Sequence, residues 1–429
     1  MELKIRRSQL RNWIDQIFAI LGLLLFSRAF VSFFESETGG TGRVLQLIYV
    51  VVYGAIAFYL ILRWRGVLRV ALRDKLLLVL IGYVLLSFFW SAAPQTTLRR
   101  EVVFLGATAF GMYLAARFEL RKQMMLLAWA LALAAVFSLG LVLVRPSLGT
   151  GTGLHAGAWQ GVFGQKNALG RLMTLSAVLF WLLIPALGRR RWIAWGFMGL
   201  SMVLVWKSTS ATSLIVLLGL MALRPFYLIV RQRSRRIVPL LVVGSLLIAV
   251  VALVLALVYV EPLLGLVGKN LTFSSRASLW RDVASEIAER PWLGYGYNGF
   301  WLGWEGASTD IWSAYGWHPD HAHNGFLDMG LDLGLIGLGL VLIHLFLNVR
   351  RALILVDRTR RPERLWPFIY LVFLILASLT YSILLSQYVF FWGLYVATTL
   401  SMRVELARLR AEKRAHKIAY QPQPASTLP

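Results

Sequence analysis

Between Lys122 and Arg145 the chain carries no charged side chain, and its Leu, Ala and Val residues are continuous, not alternating with polar ones. A run of that length crosses a ~30 Å hydrocarbon layer as an α-helix, which satisfies all its backbone polar groups internally. Runs of similar character recur at about 13–34, 44–62, 75–91, 101–117, 124–144, 168–187, 192–206, 212–230, 237–259, 324–348, 365–385 and 387–403. The absence of strict alternation argues against barrel strands. With 58% hydrophobic residues, 15% charged and a mean hydropathy of +0.68, the sequence predicts an all-α integral membrane protein of about twelve transmembrane helices. Residues 1–429 read as one polytopic domain. The first run is expected to be retained, since no small-residue cleavage site precedes the Glu35-Ser-Glu-Thr-Gly-Gly turn.

The formal charge is +24, and its placement decides what it means. With a cytoplasmic N-terminus, segments 1–12, 63–75, 117–122, 188–191, 231–236, 349–364 and 403–417 share one side and hold most of the 44 Lys and Arg residues. This positive-inside pattern predicts that both termini are cytoplasmic. Topology and contact with anionic membrane lipids account for the basic excess, so nucleic acid is not an expected partner. There is no cysteine, which excludes disulfide scaffolds, zinc fingers and thiol catalysis. Residues 404–429 read as a basic, disordered cytoplasmic tail.

On the outer side two long loops stand out, about 145–167 and 260–323. Long loops on a rigid scaffold usually carry function. The first contains Gly149-Thr-Gly-Thr-Gly153, which follows a membrane helix and not a strand, so it reads as a flexible loop or lid. Lys166 and Asn167 then open a helix, where free amides attract anions; an interfacial lysine reaching headgroups is the plainer reading. Lys207-Ser-Thr-Ser210 offers Lys207, Ser208 and Ser210 to phosphate or sugar oxygens, or simply caps the next helix. The 260–323 loop is expected to be partly helical over 277–289, with Ser274 or Ser275 as N-cap and Arg276 in the first turn. An arginine there opposes the helix dipole, which points to an anionic partner or to an ion pair with Asp282. The aromatic stretch Trp292 to Trp317 is interfacial belt or a stacking surface for sugars.

His318, His321 and His323 are half of the six histidines and lie within six residues, just before an apolar helix. Their spacing admits a metal, a helix cap or a general base. The base is best placed at His323, which abuts the rigid helix. Asp328 and Asp332, one and two turns further on, either orient an imidazole through intervening groups or pair with a basic residue.

Five stretches, in order, carry a family resemblance: Gly161-Val-Phe-Gly-Gln-Lys-Asn-Ala-Leu-Gly, Ser208-Thr-Ser-Ala-Thr-Ser, Ser275-Arg-Ala-Ser-Leu-Trp, Pro291-Trp-Leu-Gly-Tyr-Gly and His321-Ala-His-Asn-Gly-Phe-Leu. Over about 155–345 the chain resembles the O-antigen ligase and polysaccharide polymerase superfamily of the bacterial inner membrane. The resemblance implies a GT-C-like helical glycosyltransferase with its active site on the periplasmic side. Its members move a glycan en bloc from undecaprenyl pyrophosphate to an acceptor hydroxyl, with neither metal nor nucleotide sugar. In ligases the acceptor is lipid A-core; in polymerases it is another lipid-linked repeat. His323 would then be the base and Arg276 the stabiliser of the departing pyrophosphate. Lys166, Asn167, Lys207, Ser208, Ser210 and Asn324 would bind substrate. Many ligases have an arginine where this chain has the Ser208-Thr-Ser-Ala segment, and exopolysaccharide polymerases share the Ser/Thr-rich version. Ligase is the expectation and polymerase the alternative. A lipid-linked oligosaccharide flippase is a weaker rival, since the polar residues gather on one face and do not line a path through the bundle.

Overall fold

The computed structural model describes residues 2–30, 33, 43–233, 274–315, 318–357 and 362–419. Among them the chain is helical apart from its loops and one isolated antiparallel bridge, Thr150 to Trp159. The helices are α1 (Glu2–Phe26), α2 (Arg43–Ala71), α3 (Lys75–Leu86), α4 (Pro94–Arg117), α5 (Leu120–Val144), α6 (Lys166–Leu183), α7 (Arg191–Lys207), α8 (Ala211–Arg233), α9 (Ser274–Glu289), α10 (Thr309–Ala314), α11 (Gly325–Asp357), α12 (Trp366–Ser378) and α13 (Phe390–Ala419). Every expected span overlaps a helix except 237–259, which lies outside the described residues. Four stretches, Val50–Ala71, Leu120–Val144, Lys166–Ala186 and Gly325–Asp357, are long and apolar enough to cross a membrane by themselves. The chain is an integral membrane protein. Residues 404–419, expected in a disordered tail, instead continue α13.

The α6 helix is the hub: it is buried along most of its length and packs on α5, α7, α8 and α12. Its Gly170 faces Ser208 and Ser213, and a Cβ there would lie 2.5 Å from the Ser213 hydroxyl oxygen. Small residues at such crossings let membrane helices approach closely. On the other flank α4 packs on α13 and α2, and α11 lies between α3, α9 and α12. At the end of the bundle towards the chain termini, α3, α11 and α13 are bolted by a buried network. His344 bonds Asp74 at 3.1 Å and Tyr395 at 2.7 Å, and Arg403 pairs with Asp74 at 2.5 Å.

Two helices depart from the expected spans at the opposite end. The span expected over 365–385 stops at Ser378, and residues 379–389 form a non-helical, largely buried segment before α13. Irregular backbone at such depth survives only where protein or a cavity surrounds it. Here the hydroxyls of Thr380, Ser382 and Ser386 supply local partners. The second break is in α11 at Gly334, whose φ of 65° lies in the left-handed region. The carbonyl and amide groups released there are taken by the segment after α9: Leu335 N donates to Pro291 O at 2.7 Å and Tyr295 N to Leu331 O at 2.8 Å. Tyr83 Oη donates to Leu333 O at 2.9 Å. The Pro291-Trp-Leu-Gly-Tyr stretch therefore plugs into the kink.

A Cβ on residue 334 would stand 2.2 Å from the Trp292 carbonyl oxygen. Gly334→Ala is expected to destabilise the protein by about 1–3 kcal/mol or more, from strained backbone and displaced packing. The measurement is thermal unfolding in detergent; an unchanged midpoint would contradict the plugged kink.

Candidate functional site

The histidine segment is fixed from several directions before any side-chain chemistry is considered. Asn324 caps α11, its Oδ1 accepting from Phe326 N at 3.0 Å and Leu327 N at 3.4 Å. The Asp328 carboxyl accepts from Ala322 N at 3.0 and 3.1 Å, from Trp301 Nε1 at 2.7 Å, and from the Ser382 hydroxyl. On its other side Ala322 O accepts from Trp280 Nε1 at 2.8 Å. Trp280 lies one turn after Arg276 on α9, so the bond that steadies the loop also brings Arg276 to it. With Ala322 clamped, the flanking side chains of His321 and His323 converge, their ring centres 4.0 Å apart. His323 has a φ of 52°, a left-handed backbone that a non-glycine residue rarely adopts. His318 stands apart, exposed and stacked on Trp312 at 4.6 Å.

The two imidazoles differ in environment. His321 is 9% exposed, and its Nδ1 lies 2.5 Å from Asp320 Oδ1, while its Nε2 has no hydrogen-bond partner among the described residues. Desolvation works to raise the Asp320 pKa, but the hydrogen bond and charge of His321, and then His323, outweigh it and hold the carboxyl below its usual range. An ionised Asp320 requires the proton on Nδ1, which leaves Nε2 as the acceptor. His323 lies in a different field. Burial first, then the charges of His321, Arg276 and Arg171, push its pKa down to about 2, opposed only by Asp320. Burial likewise lowers Arg276 from its ordinary value. Arg171, 9% exposed, lays its guanidinium 3.6 Å above the Tyr381 ring, and Tyr381 touches His321 at 4.3 Å between ring centres.

Two cavities meet along this line. One, of about 260 Å³, is lined by Arg28, Arg171, Gly164, Gln165 and Tyr388, with a wall made by Phe26, Phe163, Phe390, Phe391 and Leu172. Its lining combines two arginines with mainly apolar side chains, and it adjoins the start of α6. The second, of about 110 Å³, is lined by Asp320, His321, Asp328, Asp332, Arg100, Asn298, Trp301, Tyr381 and Tyr388, among others. Arg171 and the two tyrosines form the partition. Because α1 ends and α13 begins at the first cavity, the start of α1 and the end of α13 lie towards the other end of the bundle.

Residues 208–342 match the family model described as O-antigen ligase. Over that segment the chain is similar to the O-antigen ligase family. It is also 27% identical, over 293 residues, to the exopolysaccharide production protein ExoQ of Rhizobium meliloti. That alignment covers 64% of this chain and 65% of ExoQ, so the chain spans just under two thirds of the relative's length.

The structure brings His323, Arg276 and Asn324 together, with Asn324 as the helix cap. Lys166 and Asn167 occupy the first turn of α6, directly after the cavity-lining Gln165. Ser208 and Ser210 are buried and locally bonded: Ser208 Oγ donates to Val205 O at 2.6 Å, and Ser210 Oγ lies 2.9 Å from Ser213 Oγ. Lys207 rests on Trp206 and Trp159, with Nζ 5.0 and 5.7 Å from the ring centres. The glycine run expected as a lid is tied down, with Gly151 N donating to Ala158 O at 2.8 Å and Gln160 N to Gly149 O at 2.9 Å. Ser274 and Ser275 are the first two described residues of α9, and Asp282 accepts from Tyr315 Oη at 2.6 Å. Sequence reasoning missed the cavity residues Arg28, Tyr381 and Tyr388, and the Asp320 partnership of His321. Arg28 carried a signal, a charge within an apolar run, which in a membrane protein marks function by default. Among the described residues no group of three His, Asp or Glu side chains is disposed to hold a metal ion.

Because the His323 pKa is depressed below 6.5, the folded state binds fewer protons than the unfolded chain between about pH 2 and pH 6.5, and its contribution to stability is lost as pH falls through that window. His323→Gln is therefore expected to flatten the drop in unfolding temperature on acidification from about pH 7 to about pH 5. Equal acid sensitivity in both proteins would contradict it.

Proposed function

We infer that the protein transfers a glycan from a polyprenyl pyrophosphate to a sugar hydroxyl, at the periplasmic face of a bacterial inner membrane. The observation that carries this reading is the junction of the two cavities across Arg171 and Tyr381. A cavity lined by both arginines and phenylalanines suits a pyrophosphate attached to an isoprenoid chain. The partition leads directly to an imidazole held by a carboxylate with its second nitrogen unbonded. In this reading undecaprenyl pyrophosphate lies against Arg28, Arg171 and the α6 start with Lys166 and Asn167. Arg276 approaches the same anion from α9.

The acceptor oxygen attacks the anomeric carbon, and a new C–O bond forms as the bond to the pyrophosphate oxygen breaks. The electron pair leaves with the lipid pyrophosphate, and the hydroxyl proton passes to His321 Nε2. Arginines positioned where negative charge grows lower that barrier. In this reading the base is His321 in preference to His323, since Asp320 orients the His321 ring and a group pushed to about 2 is a weak proton acceptor. His323 stands between the arginines and the base, where an arriving pyrophosphate would offset the charges that depress it.

A ligase acting on lipid A-core is the first reading, supported by the matched family model. A polymerase using the same donor is the second, favoured by the similarity to an exopolysaccharide production protein. Purified protein is incubated with an undecaprenyl-pyrophosphate-linked glycan, with and without lipid A-core, in EDTA, because the reading assigns no step to a metal. A new lipid A-core conjugate indicates the ligase, and longer lipid-linked chains the polymerase. His321→Ala is expected to lower the rate by about 10²–10⁴-fold. Arg276→Lys is expected to lower it by roughly 10-fold or more, because charge is kept but the paired donors are lost. No product of either kind from the wild type would sink the reading, and full activity in His321→Ala would remove the base assignment.

A further inference from the structure

The smaller cavity is built differently from the basic one, and its unbonded atoms point to what fills it. Asp332 is 6% exposed and lines the cavity, yet its Oδ1 has no hydrogen-bond partner among the described residues. His321 Nε2 and Asn298 Nδ2, on the same walls, are also unpartnered. Buried polar atoms are normally paired, so three lining one cavity call for a polar occupant. With Nδ1 of His321 protonated, its Nε2 accepts a hydrogen bond, while Asn298 Nδ2 donates one. Arg100, whose Nη1 donates to Asn298 O at 2.6 Å, stands beside them.

An occupant facing such a wall must donate and accept within one small molecule. The lining is rich in hydrogen-bonding groups, with Asp320, Asp328, Asp332, Asn298 and His321 beside the one lining arginine, Arg100. Hydroxyl groups meet both demands, since each donates once and accepts twice. Trp301, Tyr381 and Tyr388 add ring surface for the C–H face of a sugar. About 110 Å³ leaves room for the hydroxylated edge of one ring and not for a longer glycan.

We propose that this cavity is the acceptor-sugar subsite, in which Asp332 and Asn298 hold the hydroxyls of a neutral hexose ring and turn one of them towards His321 Nε2. The word acceptor rests on the transferase reading; the recognition of a neutral sugar does not. Asp332 is a positioning residue that selects the ring.

The test reads binding without turnover. Full-length protein, in a detergent with no sugar headgroup, is examined by saturation-transfer NMR with millimolar methyl glucoside, methyl galactoside and their N-acetylhexosamine counterparts. At least one hexoside is expected to receive saturation from the wild type. Asp332→Asn, which is isosteric, and Asn298→Asp are each expected to reduce that signal at least several-fold with the unfolding temperature preserved. Gln165→Ala, at a residue that lines the other cavity alone, is expected to retain it. No hexoside signal from wild-type protein that binds undecaprenyl pyrophosphate would overturn the subsite and leave the transferase reading standing. Equal signal in Asp332→Asn would also overturn it. Hexoside binding by a protein that transfers no glycan would uphold the subsite and remove the transferase reading instead.

Discussion

The arrangement at the open end of this bundle depends on the carboxyl group of Asp328. It accepts hydrogen bonds from three segments far apart in sequence: the indole of Trp301, the backbone amide of Ala322 and the hydroxyl of Ser382. Removing it would leave three buried donors without a partner, and buried donors are costly to strand. Its bond to Ala322 sits between the two histidines, so the direction of both imidazoles is set by a residue that touches neither ring. Trp280 closes the clamp from α9, which also fixes Arg276 relative to the loop.

That clamp is possible because two helices give up regularity nearby. The early end of α12 at Ser378 frees residues 379–389 to fold inward, supplying Tyr381 and Tyr388 to the partition between the cavities and Ser382 to Asp328. The break at Gly334 lets the segment after α9 plug into α11, anchoring the outer helix that carries Arg276. Both breaks would be unfavourable against lipid. Both are tolerated here because neighbouring backbone and hydroxyls replace the lost helical bonds.

Much of the scaffold was legible in the sequence, because a membrane helix announces itself by a long apolar run and little else competes with that signal. The positions of Arg276 beside the histidines and of Asn324 in the same motif were legible too. Helix interruptions were not: residues 379–385 are apolar enough to continue a span, and only their hydroxyl density hints otherwise. Nor was the division of labour between His321 and His323, since it turns on which ring meets Asp320 and which meets the arginines. Ser208 and Ser210 show the converse. Their composition suits phosphate, but the close approach of α6 at Gly170 buries them against a helix crossing.

The central claim is a single displacement: an acceptor hydroxyl, relieved of its proton by His321, attacks the anomeric carbon while the lipid pyrophosphate departs. One step of that kind must invert the anomeric centre, whichever acceptor is used. The direct measurement is the anomeric configuration of the newly formed linkage, determined by NMR on the product and compared with that of the donor. Inversion is the expected result. Retention would require a covalent glycosyl intermediate and would contradict the assignment of the carboxylate-held histidine as a base.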